Sequence, residues 1–187
     1  MTVVMQKMSK TFEFTFVISG VDPHAENFED AFFEAGCDDA TLMLYKGSVI
    51  ATFAREHETY SDAVVSAYAN LRVAGAEIER FDPDFLVTKS DIAERSGLTR
   101  QAITHYANGE RGEGFPPPSF RIMTSSPLWD WVDVSDWLYK NEHVARDVFL
   151  DAMISRGVNM FIEKHAPLTA TENVIHEKIE REAVLVA

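Results

Sequence analysis

The chain has 187 residues, a formal net charge of −13 and a 46% share of hydrophobic residues. That apolar share excludes a disordered protein, and the length allows one or two domains. Its single cysteine, Cys37, cannot form an internal disulfide, which excludes a disulfide-stapled secreted scaffold and predicts a cytoplasmic protein.

Residues 1–84 show the pattern of an α/β domain. Four strands are predicted where apolar and polar residues alternate or where a short apolar run is bounded by turn residues, namely 12–18, 41–45, 49–53 and 76–81. Asp22 and Pro23 predict the cap and first turn of one helix, and Thr59 predicts the cap of another. The order β-α-β-β-α-β predicts an α+β fold that begins with a ferredoxin-like domain.

This first segment is strongly acidic, because residues 1–86 hold six basic and 15 acidic side chains. Three interpretations of the acidity stay open. The domain is a sensor for a small ligand, a protein-binding module that neutralises a basic partner, or a dimer platform that also repels off-target DNA. Residues 81–84 are interpreted as the linker to the next segment.

Residues 89–108, KSDIAERSGLTRQAITHYAN, predict two short helices joined by a tight turn. Thr88 is the expected cap of the first helix and Thr99 that of the second. Ala93 is small enough to let the helices approach closely, and Gly97 suits the left-handed backbone of the turn. An alanine followed four residues later by a glycine is typical of a helix-turn-helix.

The second of these helices is expected to expose residue types that read base edges. With Ile103 and Tyr106 facing inward, its outer face carries Arg100, Gln101, Thr104, His105 and Asn108. Arginine bonds guanine, and glutamine or asparagine bonds adenine, through paired hydrogen bonds in the major groove. Thr99 begins the helix, where backbone N–H groups can bind a phosphate. The alternative is an ordinary helical hairpin with a solvated outer face.

The residues that follow predict a wing. A proline connector at 116–118 leads to two predicted strands, 120–123 and 128–131, joined by a tip at 124–127, and Asp133 is the expected cap of a closing helix. Phosphate contacts are expected from the basic side chains around the motif, Lys89, Arg111 and Arg121. Trp129, Trp131 and Trp137 are interpreted as packing beneath the wing, with base stacking as the alternative.

The segments LTRQAITHYANGERGEGFPPP and PLWDWVDVSDWL resemble the winged helix-turn-helix of MerR-like, excisionase and AlpA-type bacterial regulators. In that group a proline connector and a Trp-x-x-x-Asp/Glu-Val-x-x-Trp-Leu helix close the fold, and residues 131–138 are similar with a different spacing. The whole chain, including FEAGCDDATL, is similar to a set of bacterial DNA-binding proteins. The resemblance implies sequence-specific binding to duplex DNA, usually as a dimer. The recognition helix and wing are less basic here, so we expect modest affinity or a need for dimerisation.

Three parts are therefore predicted: an acidic domain (1–84), a winged helix-turn-helix (85–142) and a helical extension (143–187). The last helix is expected over 171–186, with its apolar face formed by Val174, Ile175, Ile179, Ala183 and Val186. We expect the extension to hold a homodimer, which matches a palindromic operator.

The sequence predicts a double-stranded DNA-binding transcriptional regulator that is not an enzyme. The alternative hypothesis is a protein-interaction module, such as an autoregulating antitoxin or a phage-type adaptor, which binds a basic partner through the acidic domain and the terminal helices. No cofactor or metal is predicted, because Cys37 lacks a second thiol and the histidines lack ligand spacing. No uncharged run reaches the roughly 18 residues of a membrane helix, and residues 1–10 lack the features of a signal peptide.

Overall fold

A computed structural model describes residues 9–186, with side chains up to Arg181. Residues 1–8, to which the argument about a signal peptide applies, and the side chains of Ala183 and Val186 lie outside this description. The strands are β1 (Lys10–Ser19), β2 (Ala40–Tyr45), β3 (Ser48–His57), β4 (Glu77–Asp82), β5 (Leu86–Val87) and β6 (Trp129–Asp130). The helices are α1 (Phe28–Glu34), α2 (Tyr60–Val73), α3 (Lys89–Ser96), α4 (Arg100–Ala107), α5 (Trp131–Lys140), α6 (Arg146–His165) and α7 (Ala170–Val186). The predicted α+β class is confirmed.

The first four strands form one antiparallel sheet in the order β2-β3-β1-β4, and we call residues 10–82 the sheet unit. Alternate residues of β1 are buried, as a strand with one covered face requires: Phe14, Phe16 and Ile18. They pack beneath α2, whose buried residues include Ala63 and Leu71. The alternation in the sequence therefore identified both the strand and its inner face.

The first helix begins later than the sequence predicted. Asp22 accepts a hydrogen bond from the His24 N–H at 2.9 Å, but this forms a turn, and α1 starts only at Phe28 after Asn27. The prediction of a helix start at Asp22 and Pro23 was wrong. Phe28 and Phe32 are the first residues that can bury a large apolar surface against the sheet, so the helix continues only from there.

The predicted helix pair is present, as are its caps. Thr88 and Asp91 exchange the two bonds of a capping box at the start of α3, and Gly97 ends α3 with a left-handed φ of 70°. The Thr99 hydroxyl accepts a hydrogen bond from the Ala102 N–H at 3.1 Å at the start of α4. These helices share a second core with α5, and we call residues 86–140 the helical unit.

The wing and the start of the closing helix depart from the prediction. Phe120 and Leu128 form a single bridge, while Trp129 and Asp130 pair with Leu86 and Val87, so the expected strands 120–123 and 128–131 do not form a hairpin ladder. Asp130, and not Asp133, caps α5 by accepting a hydrogen bond from the Val132 N–H at 2.8 Å. Because Trp129 is buried, its strand packs in the core of the helical unit and does not pair with residues 120–123.

Helix α6 joins the two cores. Ala152 lies in the core of the helical unit and Ile162 in that of the sheet unit. Asn159, only 5% exposed, accepts a hydrogen bond from the Phe81 N–H at 3.0 Å and donates one to the Phe81 carbonyl at 2.9 Å. Phe81 is fully buried and belongs to β4, so residues 81–84 are not the free linker that was predicted. The division of the chain at 84 and 142 stays a prediction.

A buried arginine links β3 of the sheet unit to α2 and to the turn before β2. Arg55 forms two 2.8 Å bonds to the Asp39 carboxylate and donates further bonds to Ser66, Asn70 and the Gly36 carbonyl. All of its donor groups are used inside the fold, which assigns this charge a structural role. Within residues 9–186, no helix combines the length and apolarity needed to cross a bilayer.

Candidate nucleic-acid interface

Helix α4 is held by its inner face and leaves its outer face open. Ile103 is fully buried, and Tyr106 packs against Phe115 and Trp137 with ring centroids 5.8 and 5.1 Å away. These two inward positions lie one helical turn apart, so the side chains between them and before them project outward. The exposed face therefore has a fixed orientation on the helical unit.

Two tryptophans fix the connector that follows α4. The Trp137 indole N–H donates to the Glu113 carbonyl, and the Trp129 indole N–H donates to the Pro116 carbonyl, both at 3.1 Å. Trp129, Trp131 and Trp137 are 3%, 4% and 8% exposed. Their predicted burial is confirmed, whereas their place beneath a wing stays a prediction. The alternative of stacking on bases is wrong, because rings this deeply buried cannot receive a base.

Arg100 and Gln101 occupy the first turn of α4, and both are exposed. Neither side chain bonds to another residue in the described part of the chain. Thr104, one turn later, is half-buried and donates its hydroxyl hydrogen to the Arg100 carbonyl at 2.9 Å. Two of the five predicted base-reading side chains are thus unengaged. They lie at the N-terminal end of α4, and in recognition helices this end contacts base edges.

The other two predicted base-reading residues are engaged by an acid that the sequence analysis missed. Glu110 accepts a hydrogen bond from the Asn108 amide at 2.9 Å and contacts the His105 ring. These hydrogen bonds, from Asn108 first and His105 second, hold the pKa of the Glu110 carboxyl below its usual value. The sequence Asn-Gly-Glu indicates this contact of Glu110 with α4, because glycine favours the left-handed backbone of a tight turn. In the structure Gly109 has a φ of 72° and turns the chain back toward α4.

The predicted phosphate-binding residues lie around the helix pair. Lys89 is the first residue of α3 and is half-buried, while Arg111 is exposed just after α4. Arg121 is exposed in the loop between Phe120 and Leu128, with a left-handed φ of 50°. All three residues belong to the helical unit, which also contains α4.

The loop at 119–128 has an unusual surface for so acidic a protein. Ile122 and Met123 are 59% and 97% exposed at its tip. Arg121 is the single charged residue between positions 114 and 129, so the loop carries a net positive charge in a chain of net charge −13. The sequence analysis interpreted this segment as a regular hairpin and did not single out the apolar tip.

Comparison with protein-family models, with curated proteins and with solved structures finds no match to this chain.

Cys37 has no nucleophilic chemistry in this fold. It is 4% exposed, and burial raises the pKa of its thiol to about 11, with the nearby Arg55 acting in the opposite direction. The thiol therefore stays protonated at neutral pH, and only a thiolate attacks efficiently.

Proposed function

We propose that this chain is a sequence-specific double-stranded DNA-binding regulator, with α3 and α4 as a helix-turn-helix and α4 as its recognition helix. In this proposal residues 10–82 form a domain of ferredoxin-like type, and the loop at 119–128 is a shortened wing. The observation that carries the proposal is the pair Arg100 and Gln101, exposed and unengaged on a helix whose opposite face is anchored in the core.

In the proposed complex the first turn of α4 enters the major groove. Arg100 suits the two acceptors of a guanine, and Gln101 suits an adenine. Backbone N–H groups at the start of α4 donate to a phosphate, where the helix dipole favours negative charge. Lys89, Arg111 and Arg121 neutralise flanking phosphates, which gives binding that weakens as salt rises.

The acidic charge of the chain leads us to propose that it binds DNA with modest affinity. The phosphate backbone senses mainly the charge within a screening length of about 8–10 Å, so charges close to α4 count for more than acids elsewhere on the chain. Even so, Glu110 places a carboxylate beside the recognition helix. We therefore propose that a homodimer binds a palindromic operator, since two linked half-sites raise the overall affinity.

The experiment is selection of bound fragments from random duplex DNA, followed by titration of variants on the selected site. Arg100→Ala is expected to cost about 1–3 kcal/mol and to relax preference at one base position. Arg121→Ala is expected to weaken binding to all sequences alike and to lower the salt slope by about one. Lys46→Ala, which removes the same charge from the β2–β3 turn, is the control and is expected to bind as the parent does. Equal affinity and equal sequence preference for Arg100→Ala and the parent would refute the assignment.

A second candidate function is a protein-interaction module, and one observation favours it. Helix α7 exposes apolar side chains, with Val174, Ile175 and Ile179 between 48% and 61% exposed. Such a face is suited to a partner protein as well as to a second copy of the chain. Recovery of a stoichiometric basic protein with this chain from its host, together with no enrichment in the DNA selection, would favour this function over the first.

A further inference from the structure

A cavity of about 380 Å³ lies where the sheet unit, the helical unit and α6 meet. It is lined by residues of β1, α2, α3, α5 and α6, among them Phe12, Tyr60, Arg95, Trp131, Asp151 and Ser155. This volume is within the usual range for small-molecule sites, which favour boundaries between structural units.

Asp151 is a half-buried acidic residue in the lining of this cavity. No described residue donates a hydrogen bond to its carboxylate, although the group is half-buried. Lys10 attracts Asp151 at long range without forming an ion pair, and the neighbouring Asp147 repels it. Burial, assisted by Asp147, raises the pKa of the Asp151 carboxyl to about 6. Partial burial disfavours the charged form of this carboxyl, and a cation supplied from outside would stabilise it.

Aromatic residues contribute to the lining of this cavity. Phe12 and Tyr60 meet with ring centroids 5.6 Å apart, and Phe12 is the more exposed of the two. The Arg95 guanidinium lies 5.7 Å from the Trp131 ring and donates one hydrogen bond to the Asp84 carbonyl at 2.7 Å. Aromatic faces beside a carboxylate are suited to an organic cation with an apolar body.

We propose that this cavity binds a small organic cation, with its ammonium group at Asp151 and its apolar or aromatic body against Phe12. The binding site stands without reference to DNA. Regulation of the protein by such a cation rests on the proposed DNA-binding function. The link between the two is that the cavity contacts α3 and also α5, the helix that supports α3.

The test uses three probes of matched shape on the full-length protein: benzylamine, benzyl alcohol and benzoate. Isothermal titration and backbone amide shifts are expected to give binding of benzylamine at least tenfold tighter than of either other probe, with shifts at Trp131 and Ser155. Equal binding of benzylamine and benzyl alcohol would show only an apolar cleft, and tighter binding of benzoate would assign the site to Arg95. Either result overturns the proposal.

Asp151→Asn is expected to lose at least tenfold in benzylamine affinity, whereas Asp147→Asn, one turn earlier on an exposed position, keeps it within about threefold. Unchanged binding by Asp151→Asn refutes the proposal. The Tm of Asp151→Asn shows whether this variant is folded, because the folded state disfavours the charged form of Asp151. Removing the charge is therefore expected to raise the Tm at pH 8, and this gain is expected to shrink below about pH 6 and to vanish near pH 3, below both pKa values of Asp151.

Affinity for benzylamine is also expected to depend on pH. It should be full above about pH 7 and fall as the pH drops through about 6, where Asp151 gains a proton. The other charged or titratable groups facing this region are Lys10, Glu13, Tyr60, Arg95 and Asp147. Tyr60, with its pKa raised to about 12 by burial, stays neutral throughout. A flat profile between pH 5 and pH 8 contradicts the assignment to Asp151.

A separate titration of DNA with and without benzylamine tests the regulatory role. A change in DNA affinity of threefold or more, absent from Asp151→Asn, supports regulation through this cavity, and no change refutes the regulatory role alone. If the parent protein binds no DNA but binds benzylamine through Asp151, the proposed function fails while the cation site is upheld.

Discussion

Replacing Asn159 by alanine removes the contact by which α6 is tied to the edge of the sheet. β4 is the outer strand in the order β2-β3-β1-β4, so its outward backbone groups have no strand partner. The Asn159 amide supplies both partners for Phe81, at 3.0 and 2.9 Å, in a place with almost no solvent access. Truncation leaves a buried N–H and a buried carbonyl without a hydrogen bond.

The expected loss follows from those two groups. Each orphaned buried group costs about 1–3 kcal/mol, so a total of about 3 kcal/mol is expected once some water enters the space left by the amide. For a chain of this length each kcal/mol moves the Tm by about 2–4 °C, which gives a fall of about 6–12 °C. Urea unfolding followed by far-UV circular dichroism measures the change, and faster exchange of the Phe81 amide hydrogen locates it.

Two further variants make the reasoning falsifiable. Asn173→Ala removes the same side chain from the exposed helix α7, where its amide donates to the Leu168 carbonyl at 3.3 Å, and should change stability by less than about 0.5 kcal/mol. Asn159→Asp keeps the acceptor for the Phe81 N–H but loses the donor, so it should be less stable at pH 8 and recover as acid protonates the new carboxyl. A loss below about 0.5 kcal/mol in Asn159→Ala would refute the account.

Two more outcomes are expected in the helical unit. Glu110→Gln should raise affinity for the selected DNA by roughly severalfold, because it removes a negative charge and releases two base-reading side chains. The control is Glu113→Gln, which removes an equal charge from the same loop. If Glu110→Gln gains no more affinity than Glu113→Gln, the engagement of the recognition helix by Glu110 is contradicted. Gly112→Ala should destabilise by about 3 kcal/mol or more, since its φ is 67° and the added carbon would meet two aromatic rings at 2.7 and 2.8 Å. Gly109→Ala, with a φ of 72° and open space, should lose only about 1 kcal/mol in urea unfolding; equal losses for the two glycines would disprove the close approach.

Features that depend on a few neighbouring residues were predictable from the sequence. The capping residues Thr88 and Thr99, and the turn at Gly97, act within three residues of themselves, and the structure confirms each of them. The exposure of Arg100 and Gln101 followed from helical periodicity once Ile103 was assigned to the core. Where a local rule had two solutions, as with Asp130 and Asp133 before α5, the sequence pattern led to the wrong one.

By itself, the sequence determined the order of strands and helices in the sheet unit and the helix pair of the helical unit, because alternation and capping are properties of adjacent residues. The tertiary structure decided where β6 pairs, how α6 joins two cores, and that Glu110 turns back onto α4. It also decided that Asp151 lies half-buried in a cavity, where no described residue donates a hydrogen bond to its carboxylate. These features bring together residues distant in the chain, and partner choice among distant residues depends on competing burial and hydrogen bonding over the whole fold, which no local pattern encodes.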